Sequence, residues 1–302
     1  MWANALLYVT VVLIWGSTWL SIKYQVNEVD ALQAVLYRFA LAAVLTQLIM
    51  LISKRWQAYD WRLHVRFMAL GFFLFSVNYY LFYIATDLGV TTGLLAVVFS
   101  LLTAMNMLNA RLFFGQRADA FMLTGMLMGL LGISLVFHQD IIKLWRGEAS
   151  AVGLWLGIGA TYLASLGNMV SRRLQQAKID VLNANGWGMT YGAVLLFVMA
   201  LFAPAPFSFA TSASFIFNWI YLAVFGSIVA FWSYLTLLGR VGSDRAAYSA
   251  LVFPVVALWF SWWFEGFVWT LEVIAGVLLI LLGNLVITKR LPWPQQWRFK
   301  GS

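Results

Sequence analysis

Runs of about 20 mainly apolar residues recur ten times along this chain, and nothing else in it constrains the fold as strongly. A helix crossing ~30 Å of hydrocarbon needs about 20 such residues. The runs are Ala3–Ile22, Leu32–Ile52, His64–Thr86, Thr91–Phe113, Asp119–Phe137, Ala151–Arg172, Leu182–Ala203, Ser214–Leu238, Arg245–Phe264 and Leu271–Thr288. They lack period-2 alternation and are roughly twice the ~10 residues of a barrel strand, so helices are predicted. A soluble domain carries about a quarter charged residues; this chain has 10%, with 63% hydrophobic, so its outer surface must face lipid. The first run is too long and lacks the basic flank of a cleavable leader. Cysteine is absent, which excludes disulfides and thiolate metal sites.

Lys and Arg set the orientation. With a cytoplasmic N-terminus, fifteen of the nineteen lie inside: Lys54, Arg55, Arg62, Arg66, Arg111, Arg117, Arg172, Arg173, Lys178, Arg240, Arg245, Lys289, Arg290, Arg298 and Lys300. Lys23, Lys143 and Arg146 lie outside, and Arg38 falls within the second helix. Both termini are therefore expected in the cytoplasm. The net charge of +8 reads as a topology signal and not as a nucleic-acid surface.

Residues 75–132 recur without a gap 151 positions later: Ser76 matches Ser227, Tyr83 Tyr234, Phe113 Phe264, Gly115 Gly266, Gly125 Gly276 and Gly132 Gly283. Five helices per copy is an odd number, so the second copy enters the membrane from the opposite side. The expected fold is an all-α integral membrane protein of ten transmembrane helices, built as two five-helix inverted-topology repeats around a central cavity. Such repeats place substrate near mid-membrane at their interface. The expected boundaries are 1–137 for the first repeat, 138–150 for the connecting loop, 151–288 for the second repeat and 289–302 for a cytoplasmic tail.

Enzyme chemistry is not indicated. The chain has no Gly-rich phosphate loop with Lys and no His/Glu pair at metal-binding helical spacing. All eleven Asp and Glu fall in loops or near helix ends, whereas proton relays and cation sites keep a carboxylate at mid-membrane. Arg38 lies less than two turns from the outer end of its helix. Snorkelling to the headgroups is its simpler reading, and contact with a substrate carboxylate or an outer gate is the sharper one.

The interior that remains is uncharged, polar and aromatic. Phe75, Asn78, Tyr79 and Phe82 share one face of the third helix. Ser100, Thr103 and Asn106 line the fourth; Thr161, Tyr162, Ser165 and Asn168 the sixth; Trp232, Ser233 and Tyr234 the eighth; Trp15, Ser17 and Thr18 the first. Hydroxyls and amides in membrane helices also serve packing, at ~0.6 kcal/mol each. The candidate substrate-binding set is Trp15, Ser17, Asn78, Tyr79, Ser100, Thr103, Tyr162, Ser165, Trp232 and Tyr234. Flat rings with small polar groups suit an apolar or aromatic body carrying polar ends, such as a zwitterionic amino acid. Gly125-xxx-Gly129 and Gly188-xxx-Gly192 allow close helix approach. Pro254 removes a backbone bond within the ninth helix, giving a fixed bend or a hinge.

The chain resembles the drug/metabolite transporter superfamily through Trp15-Gly16-Ser17-Thr18, Arg38-Phe39, Phe253-Pro254, Phe264-Glu265-Gly266 and the Gly276…Gly283 helix. Within it the chain is similar to EamA-type carriers, among them an exporter of aromatic amino acids. It departs from the pattern in having Thr103 where the second copy has Pro254. The resemblance implies a basket of helices whose cavity is lined by helices one, three, four, six, eight and nine, with five and ten outside. It implies a secondary transporter of the inner membrane, exporting aromatic and other neutral amino acids by alternating access. Such a carrier is expected to be facilitative and to need neither cofactor, metal nor ATPase subunit. A proton-coupled multidrug or small-metabolite exporter of the same superfamily is the alternative.

Overall fold

The computed structural model describes residues 2–115, 120–136, 149–241 and 248–287, which are helical with no strand among them. Helices α1 (Trp2–Val26) and α2 (Ala31–Ile52) are continuous rods. The third apolar run is divided into α3 (Trp61–Leu74) and α4 (Val77–Asp87), and the fourth into α5 (Thr92–Phe99) and α6 (Leu102–Phe114). Next come α7 (Ala120–Val136), α8 (Ala149–Gln176) and α9 (Val181–Phe202). The eighth run is α10 (Ala213–Ile220), a π-helix (Tyr221–Val229) and α11 (Ala230–Val241). The described part closes with α12 (Tyr248–Phe264) and α13 (Leu271–Ile287). Most of the connecting loop read at 138–150, the tail 289–302, and Arg117, Lys143, Arg146 and Arg245 lie outside the described residues.

Among the described residues, six segments are long and apolar enough to cross a membrane, and three shorter apolar helices accompany them. Large apolar side chains such as Leu6, Leu48, Leu127 and Phe202 stand exposed around the bundle, a surface suited to lipid. Helix starts are fixed by short polar side chains. Asp30 accepts from the amides of Leu32 (2.9 Å) and Gln33 (3.4 Å), Asp60 from Leu63 (2.9 Å), and Ser212 from Phe215 (3.0 Å). Gly115 ends α6 with φ 65° and Gly266 follows α12 with φ 68°, a left-handed geometry that glycine adopts without strain.

Hydroxyl back-bonds accompany the interruptions within runs. Ser76 Oγ donates to the Gly71 carbonyl at 2.9 Å, and Ser227 Oγ to the Leu222 carbonyl at 3.0 Å, each reaching five residues back. Such back-bonding competes with the helical ladder. In the first case the rod breaks between α3 and α4; in the second it widens into the π-helix. Pro254 lies inside α12, which stays helical on both sides of it. The break lies in the proline-free fourth run, at Ser100–Leu101. There Ser100 Oγ donates to the Val97 carbonyl at 2.6 Å, and Asn284 Nδ2 donates to the Ser100 carbonyl at 3.3 Å. Side chains thus take over backbone acceptors that a continuous helix would use.

Glycines set the closest helix approaches. A Cβ on Gly71 would lie 2.6 Å from the Gly188 carbonyl and 2.7 Å from the Gly192 nitrogen, bringing α3 onto α9. Gly132 and Gly276 face each other reciprocally, each Cβ falling 2.6 Å from the other's carbonyl oxygen, and Gly283 meets the Gly125 carbonyl at 2.7 Å. These pairs join α7 to α13 in the largest helix–helix contact of the molecule, and both helices touch the remainder mainly through α6.

Candidate functional site

Aromatic rings gather where the helices are interrupted. Trp15 of α1 lies with its ring centre 5.6 Å from Phe231, 5.3 Å from Tyr234 and 6.2 Å from Phe253. Phe231 and Tyr234 are three residues apart on α11 and share a face. Phe253 continues to Phe99 (6.2 Å), and Phe99 to Trp19 (5.8 Å) and Phe82 (5.7 Å). On the other side Phe231 meets Phe75 (6.2 Å), Phe75 meets Phe39 (5.9 Å), and Phe39 meets Tyr79 (4.9 Å). Phe75 immediately precedes the α3–α4 break, Phe99 ends α5, and Phe231 follows the π-helix. Irregular backbone at membrane depth is tolerated where protein or a cavity, not lipid, surrounds it.

Polar candidates distribute around these rings unevenly. Asn78, in the first turn of α4, is 1% exposed, and its Oδ1 has no partner. Leaving a buried amide oxygen unpaired costs ~1–3 kcal/mol. Ser17 Oγ contacts the Tyr221 hydroxyl at 2.6 Å and tethers α1 to the π-helix. Ser165 accepts from Asn109 Nδ2 at 2.8 Å, and Asn168 donates to Asn106 Oδ1 at 3.3 Å, so these residues join α8 to α6. Ser100 is committed to the α5–α6 turn, and Thr103 is half-buried in the first turn of α6. Two candidates stand apart. Tyr162 is 39% exposed and Trp232 63% exposed. Trp232 is one residue, and so about 100°, round the helix from Phe231, away from the face that meets Trp15.

Arg38 does not snorkel. It is 2% exposed, with Nε donating to Ser227 Oγ at 3.2 Å and its guanidinium 4.6 Å from the centre of the Tyr79 ring. The physical reason is local. Gly226 leaves room beside Arg38 Nη2, and Tyr79 offers a ring face, so the side chain turns inward.

A second polar knot closes one end of the bundle. Glu265, just beyond α12, accepts from the Thr92 amide (2.9 Å), the Thr92 hydroxyl (2.7 Å) and the Ser261 hydroxyl. Ser261 Oγ in turn accepts from the Gly93 amide at 2.7 Å. The carboxylate thus caps the N-terminus of α5, where unpaired amides favour negative charge. Towards the opposite end α6 packs on α8. Among the described residues no group of three or more His, Cys, Asp or Glu is placed to hold a metal.

A helical bundle with an aromatic interior, one inward-turned arginine and interrupted helices fits several membrane-protein classes, and sequence comparison decides among them. A profile of the EamA-like transporter family matches residues 2–138 and 151–289. The chain belongs to the EamA-like transporter family.

Two relatives match it at low identity over most of their length. An uncharacterized transporter of Bacillus subtilis, YoaV, is 23% identical over 284 residues, covering 93% of this chain and 94% of the relative. A probable amino-acid metabolite efflux pump of Escherichia coli is 22% identical over 266 residues, with 84% of each chain covered. A solved crystal structure shares the fold with a TM-score of 0.65 at 17% identity, spanning 96% of this chain and 98% of its own. This EamA chain is therefore a multi-pass membrane transporter. Phe231, which meets Trp15, and Ser227, which meets Arg38, were not among the sequence candidates. Ser227 and Tyr83 were visible only as positions shared by the two copies.

Proposed function

We propose that the protein is a secondary transporter exporting amino acids, aromatic and other neutral ones, across the inner membrane by alternating access. Ten crossings form two inverted halves, residues 1–137 and 151–288, joined by 138–150, with a cytoplasmic tail at 289–302. The reciprocal Gly132–Gly276 contact and the matching Ser76 and Ser227 distortions support that plan. The basic loops carrying Lys54, Arg55 and Lys178 orient one end to the cytoplasm.

The observation that carries the substrate reading is the ring cluster of Trp15, Phe231, Tyr234 and Phe253 together with the unpaired, buried Asn78 oxygen. Rings provide an apolar wall at little entropic cost, and the amide oxygen provides an acceptor for an ammonium group. The name of the Escherichia coli relative points to the same substrate class. Transport is facilitative, a reading supported by the absence of any Asp or Glu from mid-helix positions. The Glu265 knot is the seal of the non-cytoplasmic end in this reading, supported by its bonds from Thr92 and Ser261. Pro254 serves as the hinge of α12 in the reverse transition.

Asn78→Leu and Trp15→Ala should each lower amino-acid flux about tenfold or more, the loss of ~1.4 kcal/mol or more, while both purified proteins remain folded. Wild-type flux in both variants would remove the assignment.

A further inference from the structure

Arg38 carries a full charge into the protein and meets no anion there. It is 2% exposed; Nε donates to Ser227 Oγ, the guanidinium lies on the Tyr79 ring, and Nη1 has no partner. Among the described residues no carboxylate pairs with it. Next to it, the fully buried Tyr83 interacts with the same guanidinium and donates to Gln25 Oε1 at 2.9 Å. Gln25 Nε2 is then left buried without a partner as well. Two unspent donors, one of them cationic, therefore share one cluster contributed by α1, α2 and α4.

Ring faces and the hydroxyls of Ser227 and Tyr83 return only part of the hydration that a guanidinium loses on burial. A neutral side chain would tie α2 to the π-helix at lower cost. What arginine alone supplies is a planar fork of donors matched to a carboxylate. Tyr79 leads from this fork through Phe39 and Phe75 to Phe231 and Trp15. Asn78, beside Tyr79 in sequence, holds the unpaired acceptor. We infer that Arg38 is the carboxylate receptor of the transport site, with Gln25 Nε2 as a second donor. The cargo is then defined by a free carboxylate on an apolar or aromatic body. This rests on the transport reading above and narrows it to acids, excluding the corresponding amines and amides.

The test uses the full-length protein in lipid nanodiscs, titrated with L-phenylalanine, 3-phenylpropionate, L-phenylalaninamide and phenethylamine while binding heat is recorded. The wild type should bind the two carboxylates, and the amide and amine roughly tenfold more weakly or worse. Arg38→Met should weaken carboxylate binding roughly 10- to 100-fold, the range of a lost charge-assisted hydrogen bond, and leave the amide unchanged. Arg38→Lys should recover part of the affinity. The ligand-free Arg38→Met protein should melt at or above the wild-type temperature, because it sheds an uncompensated buried charge. A lower melting temperature would mark Arg38 as a structural tie and overturn the inference. So would equal binding of acid and amide by the wild type, a comparison that needs no variant. Arg38-dependent binding of 3-phenylpropionate without L-phenylalanine would keep the receptor and discard the amino-acid reading. Binding of L-phenylalanine that ignores both Arg38→Met and amidation would do the reverse.

Discussion

Gly132 shows how little room single positions leave in this bundle. A Cβ there would stand 2.6 Å from both the Gly276 carbonyl oxygen and Ile280 Cγ1, and backbone cannot yield as a side-chain tip does. Overpacking of this kind costs ~1–3 kcal/mol. Gly132→Leu should therefore lower the melting temperature in detergent by several degrees, whereas Gly89→Ala should cost less, since no atom lies within 4 Å of a Cβ there and only its φ of 90° opposes the change. Equal losses would contradict close packing as the role of Gly132. The packing role of Gly125, Gly129, Gly188 and Gly192 was legible in the sequence because spacing alone encodes it. The inward turn of Arg38 was not. It depends on a gap at Gly226 and a ring at Tyr79, both supplied by other helices.

At the level of elements, the long apolar runs predicted the rods well and their interruptions poorly. A run of apolar residues specifies length, while a break depends on local hydroxyl–carbonyl bonds and on contacts from other helices, such as Asn284 on the Ser100 carbonyl. Trp232 illustrates the consequence. It lies two residues, about 200°, from Tyr234 on α11, and the π-helix upstream, with an extra residue in each i→i+5 turn, sets which face of α11 turns inward. Phe231 thus takes the place facing Trp15. Trp232→Ala is accordingly expected to leave amino-acid flux within about twofold of wild type, a change of ~0.4 kcal/mol in barrier. The Glu265 knot makes a second prediction at this scale. Thr92→Val deletes a charge-assisted hydrogen bond of ~1.5–3 kcal/mol and should loosen the α5–α12 seal. Because the chain has no cysteine, Leu94→Cys gives a clean reporter. Its labelling by an impermeant maleimide from the non-cytoplasmic side should accelerate when Thr92→Val is added. Unchanged labelling would place the seal elsewhere.

For the whole molecule, the two copies explain why the carrier architecture could be read and its chemistry only partly. Duplicated glycines and loop charges survive as sequence signals, because packing and topology tolerate few alternatives. The site does not repeat, since Tyr83 bonds Gln25 while its counterpart Tyr234 lies against Trp15. Such asymmetry arises only when ten runs fold onto one another, and no single run contains it. The central claim is that this asymmetric interior carries amino acids across the membrane without a coupled proton. Efflux of L-phenylalanine and L-tyrosine from loaded proteoliposomes tests it most directly. Saturable, protein-dependent flux is predicted, undiminished when the pH gradient is collapsed. Flat traces for every proteinogenic amino acid, or flux that vanishes with the gradient, would contradict it.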